Sequence, residues 1–483
     1  MKVLFIYSVY GINSTQQPLS SWSPLQFGIS YISAVLKKYG HTVKLLVLGS
    51  ANSWSANNQL IMSYVDDCNP RLICFTSVYS EYTFIEKIAG FIKSQWPDKY
   101  LIIGGVHSTL NPSDVIQGPF DALCIGEGEY PLLELCSQLE EKIIPHGIAN
   151  LWIKSGHGAI EKNMPRDFIQ DLNSLPFPDR EMWRPLIKDI DSGFTVMLGR
   201  GCPHNCTYCC NHALKKVAAG KYVRFRSPEN IIEEVTWLYK TFPKIKSIYF
   251  EVESIALNKA WLFELCRQLD IFNSTINNGI SYGCNYRISP QSIDEEIFIA
   301  LHRANFNQIN IGLESGSERV RKEVLKRHYS NKDFLNVVFL ARKHGLKVYT
   351  YNMIGLPEET IEDHLETVSL NRQCQPDFHY TSIFVPYPGT ELFNKCIKAG
   401  LIKGPIDLRM ERSKAIIEFP KFPKAQIQKA FTLFDYRVFK GYKPLWKIIF
   451  RIISIKITGN IFYRKLSVLP FFSYLRAKLR LHK

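Results

Sequence analysis

Through the first 150 residues, short apolar runs alternate with longer stretches that are apolar on one face only. Lys2–Tyr7, Thr42–Val47, Leu72–Ser77, Tyr100–Ile103 and Ala122–Ile125 are too short for helices and read as strands. Leu25–Tyr39, Glu81–Gln95 and Tyr130–Leu139 repeat their apolar residues at helical spacing. This βαβ rhythm predicts a doubly wound, Rossmann-like, mainly parallel sheet, whose ligand crevice lies at the carboxyl ends of the strands.

The alternation pauses over residues 151–190. There Asp171-Leu172-Asn173-Ser174-Leu175-Pro176-Phe177-Pro178-Asp179-Arg180 carries two prolines that forbid regular helix, and its mixed charge predicts an extended linker on the surface. The rhythm restarts near Phe194. Strands are expected at Thr195–Leu198, Ser247–Glu251, Ser281–Ile288, Gln308–Leu313, Lys347–Ile354 and His379–Val385. Helices are expected between them at Ile231–Thr241, Lys259–Leu269, Asp294–His302, Asp333–His344 and Ile361–Asn371. Six βα units over 191–395 suit a partial (β/α)6 barrel with its site at the carboxyl ends of the strands. Residues 396–483 read as a basic, mostly helical segment.

A chain of 483 residues, 46% hydrophobic, supports two or three domains with cores of their own. No run of eighteen apolar residues marks a membrane span, and Met1–Tyr7 is too short for a signal segment. A cytoplasmic protein is expected. Nine of the twelve cysteines (Cys68, Cys74, Cys124, Cys136, Cys210, Cys266, Cys284, Cys374 and Cys396) show no disulfide framework, as suits a reducing compartment. The net charge of +15 is concentrated in the tail: after Asp435 there are twelve Lys or Arg and no Asp or Glu.

The other three cysteines, Cys202, Cys206 and Cys209, stand at C-x3-C-x2-C in Gly199-Arg200-Gly201-Cys202-Pro203-His204-Asn205-Cys206-Thr207-Tyr208-Cys209, just after the first barrel strand. Three thiolates on an irregular loop read as a 4Fe-4S site with one iron left open. Structural zinc is the rival, but it wants paired short spacings and no second pair lies nearby. With Tyr208 before the third cysteine, the run resembles the radical S-adenosylmethionine (SAM) superfamily. The resemblance implies that the open iron chelates SAM, which is cleaved reductively to a 5′-deoxyadenosyl radical.

A dinucleotide is ruled out for the first domain, because Ser8-Val9-Tyr10-Gly11-Ile12-Asn13 lacks G-x-G-x-x-G. Its turns offer Gly104-Gly105-Val106-His107 and Gly126-Glu127-Gly128-Glu129 instead, with Pro24-Leu25-Gln26-Phe27-Gly28-Ile29 near the amino terminus. Together with the cysteine motif downstream, these resemble the cobalamin-binding domain fused to one large radical SAM subgroup. The resemblance implies cobalamin contacts at Ser77, Gly104, Gly105, His107, Gly126 and Glu127. The Asp-x-His-x-x-Gly motif that supplies an axial imidazole elsewhere is missing, so cobalamin without a histidine ligand is expected.

The barrel motifs resemble the superfamily in order. Phe250-Glu251-Val252-Glu253 occupies the place of the carboxylates that receive SAM's ammonium group, with Glu253 preferred and Glu251 the alternate. Arg287 is placed for the SAM carboxylate, which a forked guanidinium suits. Gly312-Leu313-Glu314-Ser315-Gly316-Ser317 assigns Glu314 and Ser315 to the ribose or the methionine end, and Tyr351-Asn352-Met353-Ile354-Gly355-Leu356-Pro357-Glu358 assigns Ile354 and Gly355 to adenine. Phe384-Val385-Pro386-Tyr387-Pro388-Gly389-Thr390 would shape the substrate mouth. The family likeness implies a cobalamin-dependent C-methyltransferase acting on an unactivated carbon, with cyclisation or rearrangement as the alternative. RNA modification lacks the matching amino-terminal cysteines and appended module, and a mere electron carrier would not need SAM-site residues. The expected partners are a small molecule, lipidic or otherwise hydrophobic if the tail binds membrane, and an external electron donor such as flavodoxin or ferredoxin. In the tail, Trp446–Ile457 and Pro470–Arg476 mix cations with large apolar residues, as helices lying on the inner face of a membrane do; a cap packed on the barrel is the competing reading.

Overall fold

The computed structural model describes residues 1–9, 18–50, 52–155, 158–404, 406, 408 and 411–458. The chain divides into two compact units, one of Met1–His204 with Cys210–Ile248 and the other of Asn205–Cys209 with the residues from Tyr249 onward.

The first unit is built on a seven-stranded sheet. Its strands are β1 (Lys2–Val9), β2 (Thr42–Gly49), β3 (Leu72–Thr76), β4 (Tyr100–Gly104), β5 (Ala122–Cys124), β6 (Leu151–Lys154) and β7 (Ile160–Lys162), in the order β2-β1-β3-β4-β5-β6-β7. The first five pair in parallel, as the βαβ rhythm requires. Leu4, Ile6, Ile73, Phe75, Leu101, Ile103 and Leu123 fill one face, against Ile85, Ile88 and Ile92 of the helix Tyr79–Gln95.

Three features depart from the sequence expectation. The helix Trp54–Cys68 was not anticipated, because its polar run buries only Asn57, Ile61, Val65 and Cys68; Ser53 Oγ caps it by accepting the Ala56 N–H at 3.2 Å. The segment read as a linker begins with β6 and β7, which add antiparallel to β5: Ile153 pairs with Ala122 and Glu161 with Ile153. Its later half does not run over the surface either. Trp183 and Arg180 are buried, and Arg180 Nη2 donates to Glu234 Oε1 at 2.8 Å, while Arg226 Nη1 takes the other oxygen at 2.5 Å. A buried carboxylate held by two guanidiniums has its charge fully paired.

Next in the chain come β8 (Phe194–Met197), the short antiparallel pair β9 (Gly199–Arg200) and β10 (Arg224–Phe225), and then β11 (Ser247–Glu251), β12 (Ser281–Tyr286), β13 (Phe306–Glu314), β14 (Lys347–Ile354) and β15 (Phe378–Ile383). A six-stranded sheet has the order β15-β14-β13-β12-β11-β8, which is chain order, and β12 to β15 pair in parallel. This is the open six-stranded βα arrangement the pattern predicted.

The second unit has a core of its own, formed by Val320, Leu325, Ile354, Leu356, Ile383 and Phe384 with Ile427, Phe434, Val438 and Ile448. The last four come from the helices Lys424–Phe439 and Leu445–Thr458. These dock through polar contacts as well: His379 Nε2 lies 2.8 Å from Asp435 Oδ1, and Arg451 Nε lies 2.5 Å from Asp435 Oδ2. The described part of the basic tail is thus a packed cap, while Pro470–Arg476 lies outside the described residues.

Candidate functional site

In the first unit, the carboxyl ends of β3, β4 and β5 and the start of the helix Phe27–Lys38 enclose a cavity of about 260 Å³. Ile29, Ile32, Phe75, Ile102, Cys124 and Leu132 make much of its wall apolar. The glycines beside it are structural requirements. Gly105 sits at φ +97°, and a Cβ there would fall 2.7 Å from Ser77 O; Gly126 is at φ +80°. Left-handed backbone of this kind is open to glycine and lets main chain approach a large ligand closely. Ser77 Oγ is buried without a hydrogen-bond partner at the same edge. A largely apolar slot, a glycine rim and an orphaned hydroxyl suit the flat base and ribose of cobalamin's nucleotide. A bulky residue in the slot, Ile32→Trp, is expected to remove cobalamin retention after anaerobic reconstitution while leaving iron content unchanged; absorbance and iron assay check both.

Two of the expected cobalamin contacts take other roles. His107 does not line the cavity. It is buried between Tyr79 and Tyr82, with ring centroids at 5.3 and 4.7 Å, and its Nδ1 lies 3.3 Å from Asn111 Nδ2. Burial pushes its pKa down to about 4. Glu127 lines the cavity, but its carboxylate is taken up by protein. Oε1 accepts from Arg200 Nη1 at 2.8 Å, and Oε2 accepts from Arg224 Nη1 at 3.0 Å and from the Ile169 N–H at 2.7 Å. Burial would raise its pKa, but the two guanidiniums hold it below the usual carboxylate value.

In the second unit, a buried polar lattice holds the later part of the cysteine loop. Tyr208 Oη donates to Glu314 Oε1 at 3.1 Å, and Arg327 Nη1 donates to Tyr208 Oη at 3.0 Å and to Glu314 Oε1 at 3.3 Å. Arg327 Nη2 also donates to Gly312 O at 2.5 Å. Glu314 adopts φ +63° where the β13 and β14 register shifts, and a Cβ on Gly312 would lie 2.5 Å from its Oε1. Strained, bulged strand ends of this kind re-aim side chains at functional sites. Burial pushes the Glu314 carboxyl up, against the opposing pull of Arg327. Thr207 adds a second anchor, donating from Oγ1 to Val324 O at 2.6 Å beside the π-helical turn Val320–Val324.

Arg287 Nη1 donates to Cys206 Sγ at 3.2 Å, and the Nε atoms of Arg287 and Arg327 are buried without partners. Two guanidiniums with unmet donors near Cys206 suit a carboxylate such as SAM's. Glu251 is half-buried with its carboxyl raised by burial and by Glu253, whereas Glu253 is exposed beyond the strand end, so the alternate is the better placed of the pair. Ser315 does not face an open site. It is fully buried, its Oγ lies 3.4 Å from Thr367 Oγ1 and accepts the Ser317 N–H. Ile354 is likewise inside the core, and Gly355, at φ +77°, packs on Ile427. Glu359 holds that turn: its Oε2 accepts the N–H groups of Gly355 and Leu356 at 2.6 and 2.9 Å, and burial pushes its carboxyl up to about 8.

Among the described residues, no group of three or more His, Cys, Asp or Glu side chains is gathered as for a single metal ion. Cysteines of a cluster each hold a separate iron instead. Arg327 and Arg200 are the members of these sites that sequence reasoning missed. Each stands in a motif or basic run whose partners lie far off in the chain.

Residues 24–136 match the B12 binding domain and residues 196–370 match the radical SAM superfamily. The chain is therefore a radical SAM enzyme with an amino-terminal cobalamin-binding domain, and its cofactors are a 4Fe-4S cluster, SAM and cobalamin. It is 26% identical over 408 residues to an uncharacterized methyltransferase of Pyrococcus horikoshii, covering 83% of this chain and 85% of that one. It is 22% identical over 410 residues to an anaerobic magnesium-protoporphyrin IX monomethyl ester cyclase of Rubrivivax gelatinosus, covering 82% and 70%. The fold matches the radical SAM methyltransferase TsrM from Kitasatospora setae, solved with cobalamin and a 4Fe-4S cluster bound, with a TM-score of 0.64 at 18% identity over 84% of this chain and 76% of that one.

Proposed function

We propose that this enzyme methylates an unactivated carbon of a small molecule. The observation that carries the reading is the presence, in one chain, of a glycine-rimmed cobalamin-type cavity and a three-cysteine loop whose Cys206 meets Arg287. When bound, the cluster and SAM supply a carbon-centred radical that takes hydrogen from an unactivated carbon, and cobalamin supplies the methyl group. Cys202, Cys206 and Cys209 would hold the cluster, Arg287 and Glu251 the charged ends of SAM's methionine part, and the cavity with Ser77 the cobalamin nucleotide.

Below Glu251 and Arg287 on the same strands lies a polar layer that can orient a substrate. Tyr249 Oη donates to Asn285 Oδ1 at 2.7 Å, and Asn310 Nδ2 donates to Tyr249 Oη at 2.8 Å and to Tyr351 Oη at 3.0 Å. Tyr351 stacks on Tyr380 at 5.1 Å. Held hydroxyls, amides and rings favour a substrate with polar edges or a flat face. TsrM has also been solved with tryptophan as its substrate.

Anaerobic turnover with extracts of the organism that makes the protein tests the reaction. S-adenosylhomocysteine and 5′-deoxyadenosine in equal amounts are expected. 5′-Deoxyadenosine alone would replace methylation with the cyclase or rearrangement reading, which the Rubrivivax gelatinosus relative favours.

A flavodoxin or ferredoxin is the proposed electron donor. Among the described residues, no helix is long and apolar enough to cross a membrane. The helix Leu445–Thr458 buries Ile448 but leaves Leu445, Trp446, Ile449 and Ile453 exposed beside Lys447, and we propose that this face rests on an anionic membrane surface. Flotation with anionic liposomes should fall in the triple variant Trp446→Ser, Ile449→Ser, Ile453→Ser, which spares the buried face. Equal flotation would end the membrane reading.

A further inference from the structure

One residue of the cavity wall, Arg200, stands two positions before Cys202. Arg200 Nη1 donates to Glu127 Oε1 at 2.8 Å and Nη2 donates to Glu129 Oε1 at 2.6 Å, and all three residues line the cavity. Its guanidinium also lies over the Tyr31 ring, 5.2 Å from the centroid. Burial would lower its pKa, but Glu129 and Glu127 outweigh that and raise it, so the charge is permanent. Glu127 belongs to the turn Gly126–Gly128, whose glycines leave it no side-chain packing of its own at positions 126 and 128, and Glu129 opens the helix Glu129–Glu140.

On the other side of Arg200 the backbone has no slack. A Cβ on Gly199 would lie 2.4 Å from Arg224 O, and one on Gly201, at φ +88°, would lie 2.1 Å from Tyr222 O. β9 is therefore pressed against β10, where Arg200 pairs with Arg224, and Arg224 is tied to the same Glu127. Cys202 is the next residue but one. Arg200 therefore joins the carboxylates of Glu127 and Glu129 to the backbone that leads into Cys202.

We propose that Arg200 is a positioning residue that couples cobalamin binding to cluster binding: a filled cavity fixes Glu127 and Glu129, and these hold Cys202 through Arg200. The proposal rests on the cobalamin and cluster reading given above. Coupling between two sites is reciprocal, so a cluster that fixes Cys202 tightens cobalamin by the same factor.

Titration of the full-length protein with hydroxocobalamin, followed by absorbance, gives its dissociation constant with and without the reconstituted cluster. In the wild type, cobalamin is expected to bind about fivefold or more tightly to the cluster-loaded form, the lower end of typical coupling. In Arg200→Met the ratio should fall to about one while each form still binds. A ratio of one in the wild type, or an unchanged ratio in Arg200→Met, overturns the proposal. If Arg200→Met fails to load, Glu129→Ala carries the test, because it removes one of the two bonds and leaves the Glu127 pairs; a ratio below the wild-type value supports the coupling and an equal one overturns it. Wild-type protein that binds no cobalamin in either form would instead remove the functional reading beneath, and that outcome is distinguishable because no ratio exists to measure.

Discussion

Cys206→Ala protein, reconstituted anaerobically with iron and sulfide, should make no 5′-deoxyadenosine from SAM above the level of protein-free controls. In the proposed site this thiolate is one of three cluster ligands, and it is the sulfur that receives Arg287 Nη1 at 3.2 Å. Its loss leaves two thiolates for a cluster that needs three, and leaves a guanidinium without its acceptor. Cys202→Ala and Cys209→Ala should behave alike. Cys210→Ala should retain cleavage, since its sulfur is outside the C-x3-C-x2-C spacing. Chromatography of the nucleoside product is the measurement, and wild-type rates in Cys206→Ala would undo the cluster assignment.

Arg327→Met should be the most damaging change outside the cysteines. Glu314 is 9% exposed, and Arg327 is the cation that bonds it. Removing one partner of a buried ion pair costs about 3–5 kcal/mol because the other charge stays buried. The expected result is a lower urea midpoint and loss of the bond that steadies Tyr208 in the cysteine loop. Adding Glu314→Gln should recover part of the stability, since contacting residues are not additive. A single variant as stable as the wild type, or a double variant that loses the full sum, would show that the lattice does not hold the loop.

What the sequence disclosed and what it hid have different physical origins. Strand positions came through because period-2 and period-3.6 patterns are local, and the cysteine spacing is local too. The helix Trp54–Cys68 stayed hidden because few of its residues are buried. At β13 the motif alone does not tell where neighbouring side chains point, because the register shift at Glu314 breaks the alternation of a regular strand. Glu314 is thereby turned onto Tyr208 and Arg327, and Ser315 onto Thr367. The glycine pairs place Gly105 and Gly126 on the wall of the cavity, yet His107 beside them belongs to an aromatic cage. Nothing in a linear sequence separates a histidine that faces a cavity from one that faces two tyrosines.

The second core also has a bearing on biosynthesis. Its apolar cluster draws Ile427, Phe434 and Ile448 together with Leu325 and Ile354, and Tyr208 packs against it. Chains emerge from the ribosome at about 5–20 residues per second, and domains fold as their residues become available. The cysteine loop is therefore synthesised long before the residues that complete the core around Tyr208. Cys206 and Cys209 must pass through an interval of incomplete packing that ends only once Ile448 has emerged and the helix Leu445–Thr458 has docked.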